Sequence, residues 1–437
     1  MNVDPTFQAP AKALPVDYYT PFLSDLAKRR KPSAIRSLFP LEHTPGLISL
    51  LAGKPNPTTF PFTSFSFTAE SPTKGEADVE VKIGSTELAH GLQYGATAGY
   101  EKLWEWFVGL QEFVHCRKKT EDWSISIGSG SQDLIYKILI SPKGCRCTRK
   151  SRRSCPCRVS SLCVEVETDA HGIKSSSLRS ILEEWPVGKP KPRVLYTVPY
   201  GCNPTGMTAT LERRKEVLAL SREHDFIILE DDPYYYLYYG TAPRYPSYFN
   251  LEMEEPQTGR VLRFDSLSKI LSAGIRIGFA SGPKPLLDAI NKHTATSNLQ
   301  TASLTQVIVY KLLETWGYDT FIQHTKKVSN FYREKRDVFE AAMKKHLTGL
   351  AEWVAPEAGM FFWFKLLLTD DPSVEGDSQA LIAEKAVKSG VLALPGTAFL
   401  PNDRKTAHVR AAFSLLSEED VNEALRRLSK VIKDART

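Results

Sequence analysis

Arg193-Val-Leu-Tyr-Thr-Val-Pro-Tyr-Gly-Cys-Asn-Pro-Thr-Gly206 is the stretch that decides how this chain folds. Its opening run, 193–198, is β-branched, apolar and aromatic, and the Pro, Gly and Asn that follow end it in a turn. Thr210 can then cap a helix running to about Glu223, with Glu212 and Arg213 in its first turns. A second short apolar run, Phe226-Ile-Ile-Leu-Glu230, comes next and ends in acidic residues. The same alternation extends both ways. Upstream, Ser124-Ile-Ser-Ile-Gly128 reads as a strand, and Gly130-Ser-Gln-Asp133 opens a helix reaching Ile140. Downstream, Val261-Leu-Arg-Phe264 and Ile275-Arg-Ile-Gly-Phe-Ala280 read as strands, followed by a helical stretch from 284 to about 345. Short apolar strands separated by helices predict an α/β fold with a mostly parallel central sheet covered by helices.

A chain of 437 residues is too long for one small core, so a large domain and a smaller one are expected. Residues 1–45 are Pro-rich and weakly periodic, which suggests an arm packed on the small domain or on a partner subunit. Residues 46–345 form the expected large domain and 346–437 a smaller α+β domain. Within the former, Leu47-Ile-Ser-Leu-Leu-Ala-Gly53 reads as a short buried strand and 66–90 as a surface loop. Tyr100 to Lys118 has helical spacing in Leu103, Trp106, Phe107, Leu110 and Val114. In the latter, Met360 to Leu366, Val391 to Pro395 and His408 to Phe413 read as strands. Gln379 to Ser389 reads as a helix, and Ser417 as the cap of a final amphipathic one.

Composition excludes several classes. With 42% hydrophobic and 24% charged residues the chain has the make-up of an ordinary α/β enzyme. No run of about 18 apolar residues predicts a membrane span. The N-terminus lacks a basic region followed by an apolar one, so a cytoplasmic location is expected. The net charge of +6 is local: residues 145–163 hold six Arg and Lys, five of the seven Cys, and no acid.

In such sheets ligands sit at the C-terminal ends of the strands, and here four strand ends carry chemically loaded residues. They are Gly130-Ser131-Gln132, Asn203, the pair Asp231 and Tyr234, and Lys269. Helix N–H groups after Gly130, with the hydroxyls of Ser131, Ser266 and Ser268, suit a phosphate that Arg276 can clamp. Lys269 supplies an amine that can form an imine. Asp231 suits a protonated ring nitrogen, and Asn203 and Tyr234 can donate to a phenolic oxygen. One ligand meets all of these needs, pyridoxal 5′-phosphate. Each motif by itself has a plainer reading as a capped turn, a β-turn or a surface charge. The specificity lies in the order and spacing of all of them.

Further stretches extend the pattern. They include Lys31-Pro-Ser-Ala-Ile-Arg36, Ser49-Leu-Leu-Ala-Gly-Lys-Pro-Asn-Pro57, Leu92-Gln-Tyr-Gly95, Glu230-Asp-Asp-Pro-Tyr-Tyr235, Asp265-Ser-Leu-Ser-Lys-Ile270, Ala358-Gly-Met-Phe-Phe362 and Val409-Arg410. In these the chain resembles the fold-type I pyridoxal-phosphate aminotransferases. The closer likeness is to fungal aromatic and kynurenine/2-aminoadipate aminotransferases. The resemblance implies that Arg410 binds the substrate α-carboxylate, with Asn203, Gly53 and Arg36 lining the substrate site. It also implies a homodimer in which Tyr94 reaches the neighbouring subunit's phosphate. The reaction implied is a ping-pong transfer of an amino group to a 2-oxo acid, 2-oxoglutarate. Neither a membrane nor nucleic acid is an expected partner, and no metal is expected.

One segment departs from that family's pattern. After Ser141-Pro-Lys-Gly144 the pattern calls for an apolar strand and a Pro-x-Tyr turn whose ring stacks on the cofactor, but Cys145 to Cys157 supplies neither. A Cys-x-Cys zinc site and a nucleic-acid patch fit this segment less well than a local frameshift or splice error in the gene model. If the segment is genuine, the alternative is a pyridoxal-phosphate-binding protein of impaired activity.

Overall fold

A six-stranded sheet organises the larger part of the computed structural model. The structure describes residues 11–31, 38, 41, 44–51, 53–73, 75–139, 147–148, 164–369, 371, 375–400 and 404–436. The strands are β1 (Trp123–Gly128), β2 (Cys147–Thr148), β3 (Val194–Thr197), β4 (Ile227–Asp231), β5 (Val261–Ser266) and β6 (Gly278–Pro283). Across the sheet they run β1-β6-β5-β4-β3-β2. β2, β3, β4 and β5 run parallel to one another, and β6 runs antiparallel to both β1 and β5.

Helices α1 (Glu101–His115), α2 (Ser131–Leu139), α3 (Leu211–Glu223) and α4 (Lys284–Ser297) belong to this part, and α5 (Ser303–Leu347) leaves it. All four residues of β3 are buried, as expected of a parallel strand covered on both faces. Leu103 and Phe107 of α1 lie at 0% exposure against the sheet, and Phe107 stacks on Phe279 of β6 at 4.0 Å. Burying one such side chain is worth about 1.5–3 kcal/mol.

A second core surrounds the sheet β7 (Ala351–Trp353), β8 (Phe361–Leu366), β9 (Leu394–Pro395) and β10 (His408–Ala412). Its order is β7-β8-β10-β9, with every pair antiparallel. Helix α6 (Glu418–Arg436) presents Val421, Leu425, Leu428 and Ile432 to it at helical spacing, and Ser417 Oγ accepts the Asp420 N–H at its start. The expected border near residue 345 falls inside α5. Leu313 and Phe321 of this helix pack in the large core, Phe339 and Met343 in the small one. The helix bends at Gly317, whose φ of 64° is not helical.

The structure corrects several expectations. Residues 47–51 form no strand, and Leu47, Ile48 and Leu50 are 47, 90 and 99% exposed, because an apolar run alone does not say which surface covers it. Residues 66–90 are not a loop. Phe65–Ala69 and Val79–Ile83 pair antiparallel and Ser85–Leu92 is helical, with Val81 and Ile83 buried between outward-facing Glu80 and Lys82. The strand expected at 275–280 begins only at Gly278, since Arg276 adopts the left-handed conformation. Val391 to Pro395 contributes only Leu394–Pro395, and 378–389 is a short α turn continued by π and 3-10 turns.

The N-terminal arm, where described, packs on the large body and not on the small one. Lys12–Ala13 pair with Gln257–Thr258, Tyr19 and Phe22 are buried in the large core, and Tyr18 Oη donates to Asp225 Oδ1 at 2.6 Å. Its aromatic side chains bring it there. The segment 145–163 was expected to leave the sheet without a strand. Instead Cys147–Thr148 pairs with Val194–Leu195 at the sheet edge, and the rest of that segment lies outside the described residues.

Candidate active site

β5 delivers Lys269 to the end of the sheet. The strand stops at Ser266, whose Oγ accepts the Ser268 N–H at 3.3 Å and caps a 3-10 turn over Leu267–Lys269. On its far side the turn is held by α5, where His324 Nε2 donates to the Ile270 carbonyl at 2.6 Å. A carbonyl only accepts, so this contact places a proton on Nε2. Burial holds His324 below the ordinary histidine range. Lys269 is half-buried, and burial first, then the Arg276 charge, lowers its pKa from the ordinary lysine value. An amine so placed is a better nucleophile near neutrality.

Next to Lys269 the chain builds an anion cradle. Gly278 of β6 sits between Gly128 of β1 and Ser266 of β5. A Cβ at Gly278 would come within 2.5 Å of the Ser131 backbone nitrogen, the first residue of α2. Gly130 has a φ of 86°, and a Cβ there would meet Arg276 Nη2 at 2.3 Å. Glycine at these two points therefore lets the helix N-terminus, the guanidinium and the Lys269 turn close on one space. Arg276 Nη1 donates to Ser268 Oγ at 2.9 Å and Nη2 to the Ser129 carbonyl at 3.0 Å. A phosphate fits this donor set of helix N–H groups, guanidinium and hydroxyls. Gln132, in the first turn of α2, is exposed.

Asp231 ends β4 and is buried, and Tyr196 Oη of β3 donates to its Oδ2. Tyr234, also buried, meets Phe361 edge-on at 6.2 Å. Asn203 stands before a cis proline, in a turn closed by Gly206 N–H donating to the Cys202 carbonyl at 2.7 Å. That turn abuts the segment that leads into β8 of the second sheet. A Cβ on Gly201 would lie 2.5 Å from the carbonyl carbon of Ala358, so the two backbones touch. Arg410 of β10 crosses this seam and donates to Asn203 Oδ1 at 2.8 Å. Its guanidinium carbon lies 4.3 Å from the centre of the Phe361 ring and 5.1 Å from that of Phe399. Burial lowers the Arg410 pKa, and its Nε makes no hydrogen bond among the described residues. A carboxylate would complete it.

Not every expected residue joins this group. Tyr94 is exposed, and a Cβ at Gly53 would meet nothing within 4 Å, so neither shows a contact with the site among the described residues. Arg36 lies outside the described residues. Sequence reading missed Tyr196, His324, Phe361 and Phe399. Tyr196 lay within the run 193–198, which was read only as a strand. The others reach the site only through packing.

The model of the family "Aminotransferase class I and II" matches residues 143–428. An aminotransferase of Emericella nidulans, tdiD, is 41% identical, over 94% of this chain and 95% of its own. The mitochondrial kynurenine/alpha-aminoadipate aminotransferase of Bos taurus is 35% identical, over 95% of this chain and 99% of its own. Among solved structures, Pyrococcus horikoshii kynurenine aminotransferase in complex with PMP, KYN and KYA superposes with a TM-score of 0.70. It is 28% identical, covering 94% of this chain and 97% of its own. The fold expected from strand order, the amine at the end of β5 and the phosphate cradle beside it thus have one account: this chain belongs to the class I and II aminotransferases, enzymes of the pyridoxal-phosphate fold type I.

Proposed function

We propose that the chain transfers the amino group of an aromatic, kynurenine-type or 2-aminoadipate-type L-amino acid to a 2-oxo acid, 2-oxoglutarate, in two half-reactions. The observation that carries this reading is the hydrogen bond from Arg410 to Asn203, which joins a carboxylate-binding cation to the rim of the cofactor site. The rings of Phe361 and Phe399 beside Arg410 support an aromatic or long side chain, as do the substrates named for the bovine and archaeal relatives.

Bound here, pyridoxal phosphate supplies an aldehyde that takes up the amino group and an electron sink that lets the Cα–H bond ionise. The remaining work falls to the chain. Arg276, Ser268, Ser131 and the N–H groups of α2 hold the phosphate, with Gly130, Gln132 and Ser266 shaping its surroundings. The Asp231 carboxylate holds a proton on the ring nitrogen. Asn203, whose Oδ1 is taken by Arg410, donates through Nδ2 to the phenolic oxygen, and Tyr234 donates beside it. Arg410 orients the substrate through its carboxylate. Lys269 Nζ would stand as the base that takes the proton from the substrate Cα. Gly53 and Arg36 border the side chain.

The reading includes domains at 46–345 and 346–437, and a homodimer in which Tyr94 meets the neighbouring phosphate. Exposed Leu47, Ile48 and Leu50 support such an interface. The compartment we propose is the cytoplasm, and a mitochondrial signal on localising the chain would replace it. A cofactor-binding protein without turnover is not favoured, since the relatives are named as aminotransferases.

The test is to load the purified chain with pyridoxal phosphate and offer phenylalanine, tyrosine, kynurenine and 2-aminoadipate with 2-oxoglutarate. Glutamate formation with at least one of them is expected. A yellow, loaded protein that converts none would overturn the substrate reading.

A further inference from the structure

Behind the cofactor face lies a buried ionic cluster that the mechanism above leaves unused. Side chains alternate across a strand, so Glu230 and Asp232 flank Asp231 on the opposite face of the sheet. In register with them on β5, Arg263 and Asp265 point the same way. Arg263 is fully buried. Its Nε and Nη2 fork onto Asp265 at 3.0 and 2.8 Å, and Nη1 reaches Asp232 at 3.1 Å and Glu230 at 3.3 Å. Gln111 of α1 donates to Asp265 at 3.2 Å, and the Tyr235 ring lies 4.8 Å from the guanidinium carbon. Glu230 in turn accepts the Tyr248 and Phe249 N–H groups at 2.8 and 3.2 Å.

One guanidinium thus grips the ends of two adjacent strands. Asp232 follows Asp231 directly, and Asp265 precedes Ser266 and the turn carrying Lys269. Any rotation of either strand end moves a residue on the cofactor face and breaks a buried ion pair on the other. Burial raises Arg263's desolvation cost, but the charges of Asp265 and Glu230, joined by Asp232 where it is ionised, outweigh it and keep the side chain protonated. A buried cation with this many partners is poorly explained by stability alone, since buried ion pairs contribute little net stability over an apolar replacement.

We propose that Arg263 is a positioning residue for the cofactor, locking Asp231 and Lys269 into one geometry from the far side of the sheet. This rests on the assignment of Asp231 and Lys269 to pyridoxal phosphate. Lysine in place of Arg263 keeps the charge but cannot fork between two carboxylates. Arg117, which pairs with Glu252 at 3.2 Å and is also buried, meets the cluster only at second hand, through Phe249, whose N–H donates to Glu230, and serves as the control for loss of a buried ion pair.

The experiment compares Arg263→Lys and Arg117→Lys with the unaltered holoprotein. It reads thermal stability, pyridoxal-phosphate affinity, and the pH midpoint of the visible band of Lys269-bound cofactor. Both variants should lose stability. Only Arg263→Lys should weaken cofactor binding by about tenfold or more and move the midpoint by about half a pH unit or more. Equal behaviour of the two variants in binding and midpoint would overturn the proposal. If Arg263→Lys does not fold, Asp265→Asn, which breaks the same fork, must show the same selective change, and its failure to do so is equally decisive. No band in the unaltered protein would instead overturn the assignment of Lys269, a different result.

Discussion

Arg410 and Asn203 come from opposite sides of the seam between the two cores, and a 2.8 Å hydrogen bond from Nη1 to Oδ1 joins them. The contact orients the amide, leaving Nδ2 as its donor, and ties the carboxylate site to the cofactor site. Replacing Arg410 by Gln should therefore cost kcat/KM roughly 100-fold or more for amino acids. Because the Asn203 amide loses its anchor, the pH midpoint of the visible band of the loaded protein should also move. Steady-state kinetics beside an absorbance titration separate the two effects.

Lys269 is the residue expected to hold the cofactor covalently. Borohydride reduction of the loaded protein followed by peptide mapping should place the adduct on the peptide containing Lys269. Lys269→Ala should carry none, and an adduct found on another lysine would refute the assignment.

The amine of Lys269 titrates below the ordinary lysine value through burial, assisted by the charge of Arg276. Arg276→Gln removes the second cause, so the amine should regain part of its basicity. Amine labelling of the cofactor-free protein against pH should show a midpoint at higher pH in the variant than in the unaltered chain.

Asp232 provides a pH dependence of stability. Burial is the main cause that raises its carboxyl to about 7 from an ordinary 3.8. The charges facing it are Arg263 and Asp265 from β5, Glu230 from β4 and Arg214 from α3. Between these pH values the folded chain holds a proton that the unfolded chain has released. This contribution to stability is complete below about pH 3.8 and is lost as the pH rises to about 7. Asp232→Asn does not titrate, so its stability relative to the unaltered chain should rise across that window. The gain should be a few kcal/mol at most, each pKa unit being worth about 1.4 kcal/mol. Urea unfolding at several pH values measures it, and a flat difference would refute the assignment.

Gly278 leaves no room for a side chain. A Cβ there would lie 2.5 Å from Ser131 N and 2.8 Å from the Asp265 carbonyl oxygen, both backbone atoms. Gly278→Ala should destabilise the chain by about 1–3 kcal/mol and weaken phosphate binding as α2 is pushed from β5. Thermal unfolding with and without pyridoxal phosphate reads both.

Much of this protein was legible in its sequence because the signals are local. The run 193–198, the Thr210 cap and the Ser417 cap need only neighbouring residues to act, and each stands where expected. The order of the strand-end residues 130–132, 203, 231 and 269 was likewise visible, since a parallel sheet brings such ends together whatever the intervening helices contain. Lys269, with which the site begins, needed no more than this. Tertiary structure decided the rest. Leu47, Ile48 and Leu50 read as core and are exposed, because hydrophobicity does not name the surface that covers it. Arg276 left its strand because a left-handed turn aims its guanidinium at the start of α2. Arg263 read as one residue of an apolar strand, and only the pairing of β4 with β5 sets three carboxylates around it. Local preference specifies elements, whereas contacts between residues distant in sequence exist only once the sheet has closed.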